Sequence, residues 1–192
     1  MKHFSTAELV KVSLFTALMV VFAQIAIPLP ISPVPLTLST FAIFLSSSLL
    51  KPQSALMVQV VYVLLGLFGL PVFAGFKSGV PVLFGPTGGY IIAYLIMAPL
   101  ISFVSSRLCR GAGFLHTAKL PLPYVISYIL AMLLCYGFGS VWLMLYAGVS
   151  FSKVLALAVL PYLLADSFKI IVCAAIVPFL KRALATMPVS RT

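Results

Sequence analysis

Asp166 and Lys169 are the residues of this sequence best suited to binding chemistry, because both lie within the long apolar run LPYLLADSFKIIVCAAIVPFL. Their spacing of three residues places them on one face of a helix. A charge inside a bilayer is costly, so intramembrane ions usually pair, face a cavity and mark a functional site. The carboxylate could accept N–H donors from a solute, and the ammonium could donate to a ligand oxygen. An ion pair that only fixes helix packing is the alternative interpretation.

The composition is that of an integral membrane protein. Of the 192 residues, 63% are hydrophobic and 7% are charged, which is too few charges to cover a soluble domain of this size. The net charge of +10 does not indicate nucleic-acid binding, because no basic stripe with interleaved aromatic residues is present. The three separated cysteines favour small buried hydrophobes over disulfide or metal chemistry. We expect no metal site and no cofactor.

Proline, glycine and charged residues divide the chain into six apolar stretches, each near the ~20 residues that cross a bilayer. They predict an all-α bundle of six transmembrane helices in a single membrane domain, residues 1–192. The predicted spans are roughly 8–27, 36–50, 54–70, 84–104, 123–147 and 160–180.

The distribution of basic residues predicts that both termini are cytoplasmic. With that orientation the outer loops hold only Lys77 and Lys153. The cytoplasmic segments hold nine basic residues: Lys2, Lys11, Lys51, Arg107, Arg110, Lys119, Lys181, Arg182 and Arg191. The outer side then carries a proline-rich loop, residues 28–37, and a loop rich in glycine and proline, residues 70–90.

The last span carries a polar stripe on an otherwise apolar helix. Tyr162, Asp166, Lys169 and Cys173 recur at helical spacing, so they share one face. If the helix begins at Pro161, where the missing N–H has no cost, Asp166 lies about 7–8 Å below its start. The stripe predicts a pocket in the outer half of the membrane that opens outward.

The segment GPTGGY, residues 85–90, opens the fourth span. Its glycines allow a ligand to approach the backbone, and free N–H groups at a helix start favour a ligand oxygen. Helix entry with close packing is the alternative. The segment is not a Walker A loop, because no Lys-Ser/Thr follows the glycines. The chain therefore has no nucleotide-binding motif.

Three further features each have two interpretations. Lys77 is either an anion-attracting residue or a solvated loop charge. The four prolines of residues 28–35 stiffen the backbone. The resulting loop is either a lid over a pocket or a connector between helices. Ser13 and Ala17 form a small-xxx-small spacing that allows close helix packing, and packing within the chain is the simpler interpretation.

Four sequence blocks together closely resemble the BioY family, the biotin-binding substrate-capture (S) components of energy-coupling factor (ECF) transporters. In chain order they are PLPISPVPLTLSTFAIFL, YVLLGLFGLPVFAGFKSG, GPTGGY and ADSFK. The resemblance runs from about residue 8 to 182. It implies a six-helix protein of the prokaryotic cell membrane that captures biotin from the outer side. It also implies that ATP is used only by partner subunits, two ATPases joined to a membrane coupling protein.

The resemblance further implies roles for individual residues. The aspartate and lysine of the family's last span contact the ligand and correspond to Asp166 and Lys169. With biotin, Asp166 would accept the ureido N–H bonds, Lys169 would hold Asp166 ionised, and Lys77 would attract the tail carboxylate. The two lysines could exchange roles. The other residues implicated are Gly88, Gly89 and Tyr90 at the ligand, with Ser13 and Ala17 as the docking surface for the coupling module.

Two other functional classes remain open from the sequence. The first is a stand-alone secondary carrier for biotin or another small vitamin, with Asp166 as a proton relay. The second is an intramembrane enzyme, which needs paired carboxylates, a Ser–His couple or a metal cluster. One intramembrane acid is too few, and His3 and His116 lie near the predicted inner face. We therefore expect a transport-binding protein and not an enzyme.

Overall fold

The computed structural model describes residues 5–111 and 121–186, which form a helical bundle with one short strand pair. Its elements are α1 Thr6–Gln24, β1 Ala26–Ile27, β2 Leu36–Thr37, α2 Ser39–Leu49, α3 Pro52–Leu67, α4 Val80–Leu83, α5 Gly88–Gly111, α6 Leu122–Ala147, α7 Phe151–Ala158 and α8 Leu160–Thr186. Five residues named above lie outside the described ranges: Lys2, His3, His116, Lys119 and Arg191.

Four helices of the described chain, α1, α5, α6 and α8, are long and apolar enough to cross a membrane. Helices α2 and α3 are apolar but have only 11 and 16 residues, fewer than the ~20 that span the hydrocarbon core at right angles. Six helices of the described chain overlap the six predicted stretches in chain order, with ends that differ by up to seven residues: α1, α2, α3, α5, α6 and α8. The protein is therefore a multi-pass membrane protein with at least these four candidate spans.

Helix α2 lies at the centre of the bundle, where it packs against α1, α5 and α8. Eight of its eleven residues are buried. Small side chains allow such close packing between apolar helices. Ser46 Oγ lies 2.8 Å from the carbonyl oxygen of Ala42, and Ser48 Oγ lies 2.6 Å from the Tyr128 hydroxyl on α6. These bonds satisfy hydroxyl groups that water cannot reach.

Polar contacts distinguish the two ends of the bundle. At one end, Ser5 and Glu8 form a capping box at the start of α1, and Lys51 Nζ lies 2.7 Å from Glu8 Oε1. Glu8, the second acid of the chain, thus joins α1 to the turn between α2 and α3. At the other end, Gln24 Nε2 donates to the carbonyl oxygen of Pro71 at 3.2 Å. We call this second end the Gln24 end.

Besides the short helix α4, a strand pair and one further helix were not predicted from the sequence. The ends of the proline-rich loop pair as antiparallel strands, with Ala26 opposite Thr37 and Ile27 opposite Leu36. The prolines between them lack the N–H that a longer ladder requires, so the pairing stops after two residues. Helix α7 is the other element, and it occupies the connection before the last span.

The outer face of α1 carries small and apolar side chains. The helix buries Val12, Thr16, Met19 and Ala23 against the bundle, whereas Ser13 and Ala17 are exposed. The interpretation of these two small residues as packing within the chain is therefore wrong. Large apolar neighbours on the same helix are also exposed: Val10, Leu14 and Val21.

Candidate functional site

A cavity of about 320 Å³ lies at the Gln24 end of the bundle. This volume falls at the lower end of the ~300–1,000 Å³ that small-molecule sites occupy. Its wall comes from the proline-rich loop, the first turn of α2, the loop after α3, and the helices α5, α6 and α8. Five tyrosines contribute to it: Tyr62, Tyr90, Tyr94, Tyr136 and Tyr162. A largely apolar wall with a few polar groups suits a small organic molecule.

The carboxylate of Asp166 is the acceptor at the centre of the polar part of this wall. Asp166 is only 6% exposed. Lys169 Nζ donates to Oδ1 at 2.7 Å, and the Tyr136 hydroxyl donates to Oδ2 at 2.5 Å. The Thr40 hydroxyl lies 3.5 Å from Oδ1. An ionised carboxylate offers about four acceptor sites, so these three donors leave room for a donor from a ligand in the cavity.

The ammonium of Lys169 uses all three of its N–H donors within the protein. Besides Asp166, it donates to the carbonyl oxygen of Thr37 at 2.6 Å and to Thr40 Oγ1 at 3.1 Å. An ammonium has only three N–H groups, so in this geometry none remains for a ligand. Lys169 therefore compensates the charge of Asp166 and ties α8 to β2 at the cavity wall.

The polar stripe of α8 also holds the proline-rich loop. The Tyr162 hydroxyl lies 2.9 Å from Ser32 Oγ and contacts the carbonyl oxygen of Val34. The backbone N–H of Val34 donates in turn to Ser32 Oγ at 3.2 Å. Val34 and the prolines on either side of it, Pro33 and Pro35, line the cavity. The loop is thus part of the wall and not a detached connector.

The loop after α3 supplies another part of the wall. Phe73 is buried and packs edge-on against Tyr62, with 5.5 Å between ring centroids. The N–H of Phe73 donates to the carbonyl oxygen of Lys77 at 3.0 Å. The Lys77 side chain is exposed and lines the cavity. Its ammonium makes no ion pair or hydrogen bond with any residue in the described ranges, so it is available to an anion.

The segment GPTGGY divides between the cavity and helix packing. Gly85 and Tyr90 line the cavity, and Trp142 Nε1 donates to the carbonyl oxygen of Gly85 at 2.9 Å. Gly88 and Gly89 do not line it. A Cβ atom at Gly89 would collide with the Trp142 side chain, and one at Gly88 would collide with the backbone of α4. The structure thus gives these two glycines a packing role, and their contact with a ligand stays a prediction.

Three polar residues that bond to Asp166 or Lys169 were not predicted from the sequence: Thr37, Thr40 and Tyr136. The hydroxyl of a buried tyrosine usually finds a partner, so Tyr136 inside the apolar run of the fifth span carried a weak signal. Nothing in the sequence indicated that this hydroxyl would meet Asp166. Lys77, Tyr90, Asp166 and Lys169, which were predicted, all line the same cavity.

Comparisons with known proteins agree with this architecture. The sequence model of the BioY family matches residues 1–186. "Biotin transporter BioY2" of Lactococcus lactis subsp. cremoris is 36% identical over 172 residues, 89% of this chain and 88% of the relative. "Biotin transporter BioY" of Thermotoga maritima is 36% identical over 175 residues, 91% of this chain and 96% of the relative.

A solved structure shares the fold. It is the crystal structure at 2.1 Å of the S-component for biotin from an ECF-type ABC transporter, which superposes with a TM-score of 0.83 at 24% sequence identity. The match covers 94% of this chain and 95% of that one. The family match extends over nearly the whole chain, and two relatives above 30% identity support it. The chain therefore belongs to the BioY family.

Proposed function

We propose that this protein is the substrate-capture membrane subunit of a biotin uptake system. It binds biotin in the cavity and delivers it inward together with an ATP-driven coupling module. One observation carries the proposal: a buried ion pair, Asp166–Lys169, lines a ligand-sized cavity in a family whose members are named biotin transporters. These relatives are transporters, and the function requires no catalytic group in this chain.

The chemistry of biotin matches the groups on the cavity wall. Biotin offers a ureido ring with two N–H donors and a carbonyl, a fused thioether ring, and a tail that ends in a carboxylate. Asp166 has the acceptor capacity for a ureido N–H, and Lys77 has an ammonium that bonds to no other described residue and is available for the carboxylate. Tyrosine rings such as Tyr90 supply apolar surface for the fused rings. Gly88 and Gly89 contribute by letting α5 pack closely enough to place Tyr90.

Calorimetric titration of the purified protein in detergent tests the proposal. We expect saturable binding of one biotin per chain. Lipoate is the matched comparison, because it has a similar carboxylate tail and a sulfur ring but no ureido N–H for Asp166. It should bind more weakly by at least about tenfold, the scale of one charge-assisted hydrogen bond. A folded protein that binds no biotin would exclude this function and direct the search to other vitamins.

We further propose that six helices, α1, α2, α3, α5, α6 and α8, cross the cell membrane of a prokaryote within one membrane domain, with both termini in the cytoplasm. The basic residues support this orientation. Lys77 and Lys153 lie toward the Gln24 end, whereas the larger group lies toward the opposite end: Lys11, Lys51, Arg107, Arg110, Lys181 and Arg182. Cytoplasmic segments are the ones enriched in lysine and arginine, so the cavity faces outward.

The exposed face of α1 is the proposed docking surface for an ECF transmembrane coupling protein with its two ATPases. Replacing Ala17 by tryptophan would place a large ring where close helix packing needs a small side chain. We expect biotin uptake by cells that express the whole system to fall by at least about tenfold, the effect of losing a central interface contact. Biotin binding by the purified variant should stay within about twofold of the wild type, well under 1 kcal/mol.

Ala175, an exposed alanine on α8, provides the matched control, and Ala175→Trp should leave uptake near the wild-type rate. Unchanged uptake by Ala17→Trp would contradict docking through α1. The stand-alone carrier is not favoured, because the candidate proton relay Asp166 is held by Lys169 and Tyr136. Uptake that continued in cells without the coupling module would support that carrier instead.

A further inference from the structure

Gln24, the last residue of α1, bridges α1 to the loop that carries Lys77. Its Nε2 donates to the carbonyl oxygen of Pro71 at 3.2 Å, and its Oε1 accepts from the N–H of Phe76 at 2.9 Å. A single side-chain amide therefore satisfies one acceptor and one donor of the same loop. These two bonds connect residues that are 47 and 52 positions apart in the chain.

The loop segment held by Gln24 is a tight turn, residues 73–77, whose backbone conformation is unfavourable on its own. Its ends form an isolated antiparallel bridge between Phe73 and Lys77. Between them, Gly75 and Phe76 have φ angles of 71° and 57°. Phe76 is the only non-glycine residue with positive φ among the residues described. A bulky residue is disfavoured in this left-handed region, and the hydrogen bond from its N–H to Gln24 stabilises the conformation.

The turn sets the position of two cavity residues. Phe73 is buried in the bundle and packs on Tyr62. The Lys77 side chain lies at the cavity, and its ammonium has no partner in the part of the chain that the structure describes. Gln24 is also the residue next but one before β1, whose partner β2 supplies the Thr37 carbonyl bonded to Lys169. The amide of Gln24 thus lies between the start of the proline-rich loop and the loop after α3.

We propose that Gln24 is a positioning residue for recognition of the ligand's carboxylate, acting by holding the turn 73–77 so that Lys77 faces the cavity. The inference rests on the proposed function, since it takes biotin as the ligand. Gln24 itself does not line the cavity, so its effect passes through Lys77. Loss of Gln24 should therefore lower the affinity for a ligand with a charged tail and change the affinity for one with a neutral tail only slightly.

Titration of biotin and of its neutral primary amide against one set of variants tests this. In the wild type, biotin should bind more tightly than the amide. Gln24→Leu should weaken biotin binding by about tenfold, the scale of the two lost hydrogen bonds, and should change amide binding by less than about twofold. Lys77→Ala should likewise reduce the preference for biotin over its amide. The double variant Gln24→Leu/Lys77→Ala should be no weaker than Lys77→Ala, because residues that act as a unit are not additive.

Two further variants keep the test decisive. Gln53→Leu, at an exposed glutamine on α3, should leave both affinities unchanged. Gln24→Asn keeps an amide, but its side chain is too short to reach both partners, so it should also reduce the preference for biotin over the amide. It replaces Gln24→Leu in the test if Gln24→Leu does not fold. Equal weakening of both ligands, or additive effects of Gln24→Leu and Lys77→Ala, would overturn the inference. A wild type that binds biotin and its amide equally would also overturn it while leaving the proposed function intact, which only absent biotin binding would remove.

Discussion

Replacing Asp166 by asparagine should weaken biotin binding by at least about a hundredfold, which corresponds to roughly 2.7 kcal/mol. The substitution keeps the shape of the side chain but removes its charge and turns one acceptor into an NH₂ donor. That donor would face other donors: Lys169, Tyr136 or a ureido N–H of the ligand. Hydrogen bonds to a charged group contribute about 1.5–3 kcal/mol each, and a buried donor without an acceptor adds a further cost. Calorimetric titration of the purified variant in detergent measures the effect.

Glu8→Gln is the matched control, because Glu8 is the other acid of the chain. It lies at the end of the bundle away from the cavity, and glutamine can replace glutamate in a capping box. Biotin affinity in this variant should equal that of the wild type. If Asp166→Asn is folded and binds biotin as tightly as the wild type, then Asp166 serves only the structure and the ligand lies elsewhere on the wall.

The core of this site could be predicted from the sequence because it depends on one helix. Tyr162, Asp166, Lys169 and Cys173 share a face at helical spacing, and all four are buried in the bundle. An ionisable pair inside an apolar run is expensive unless it is enclosed, so the sequence alone indicated both the pairing and a cavity. The structure places the pair 2.7 Å apart, as that reasoning requires.

The partners of this pair could not be predicted, because they depend on which faces of other helices meet α8. Thr40 reaches Asp166 across 126 positions of sequence and Tyr136 across 30. Helix α6 is apolar on most sides, and the five serine and threonine residues of α2 fall on several of its sides. Periodicity therefore does not show which face turns inward. The same limit applies to Gly88 and Gly89, whose small size serves contacts with α4 and Trp142. A glycine at a helix start fits ligand approach and close packing equally well.

The contacts of the loops that complete the wall could not be predicted from the sequence. The prolines of residues 28–35 indicated a stiff backbone, but the segment contains a turn in which the N–H of Ser32 donates to the carbonyl oxygen of Leu29. Strand pairing at its ends needs a partner that only the fold brings near. The turn at residues 73–77 depends likewise on Gln24, which in the sequence is one polar residue in an apolar helix. Its importance follows from hydrogen bonds to backbone groups of the loop after α3, and backbone groups carry no sequence signal.

Lys169→Met should destabilise the protein strongly, whereas the double variant Asp166→Asn/Lys169→Met should recover most of that loss. The two side chains are only 7% and 8% exposed. Removing one partner of a buried pair leaves an uncompensated charge and costs about 3–5 kcal/mol, while replacing both with neutral groups is often nearly neutral. For a chain of this size such a loss lowers the unfolding midpoint by on the order of 10 °C. Thermal unfolding in detergent, without ligand, measures both variants.

Lys51→Met is the comparison for an exposed ion pair, because the Lys51 side chain is 79% exposed where it pairs with Glu8. It should change stability much less than Lys169→Met does, because exposed ion pairs contribute little. The double variant also separates structure from binding, since a protein that has regained stability but lacks the carboxylate should still fail to bind biotin. A Lys169→Met variant as stable as the wild type would show that Asp166 does not need the lysine for charge compensation, and that Thr40 and Tyr136 are sufficient to hold it.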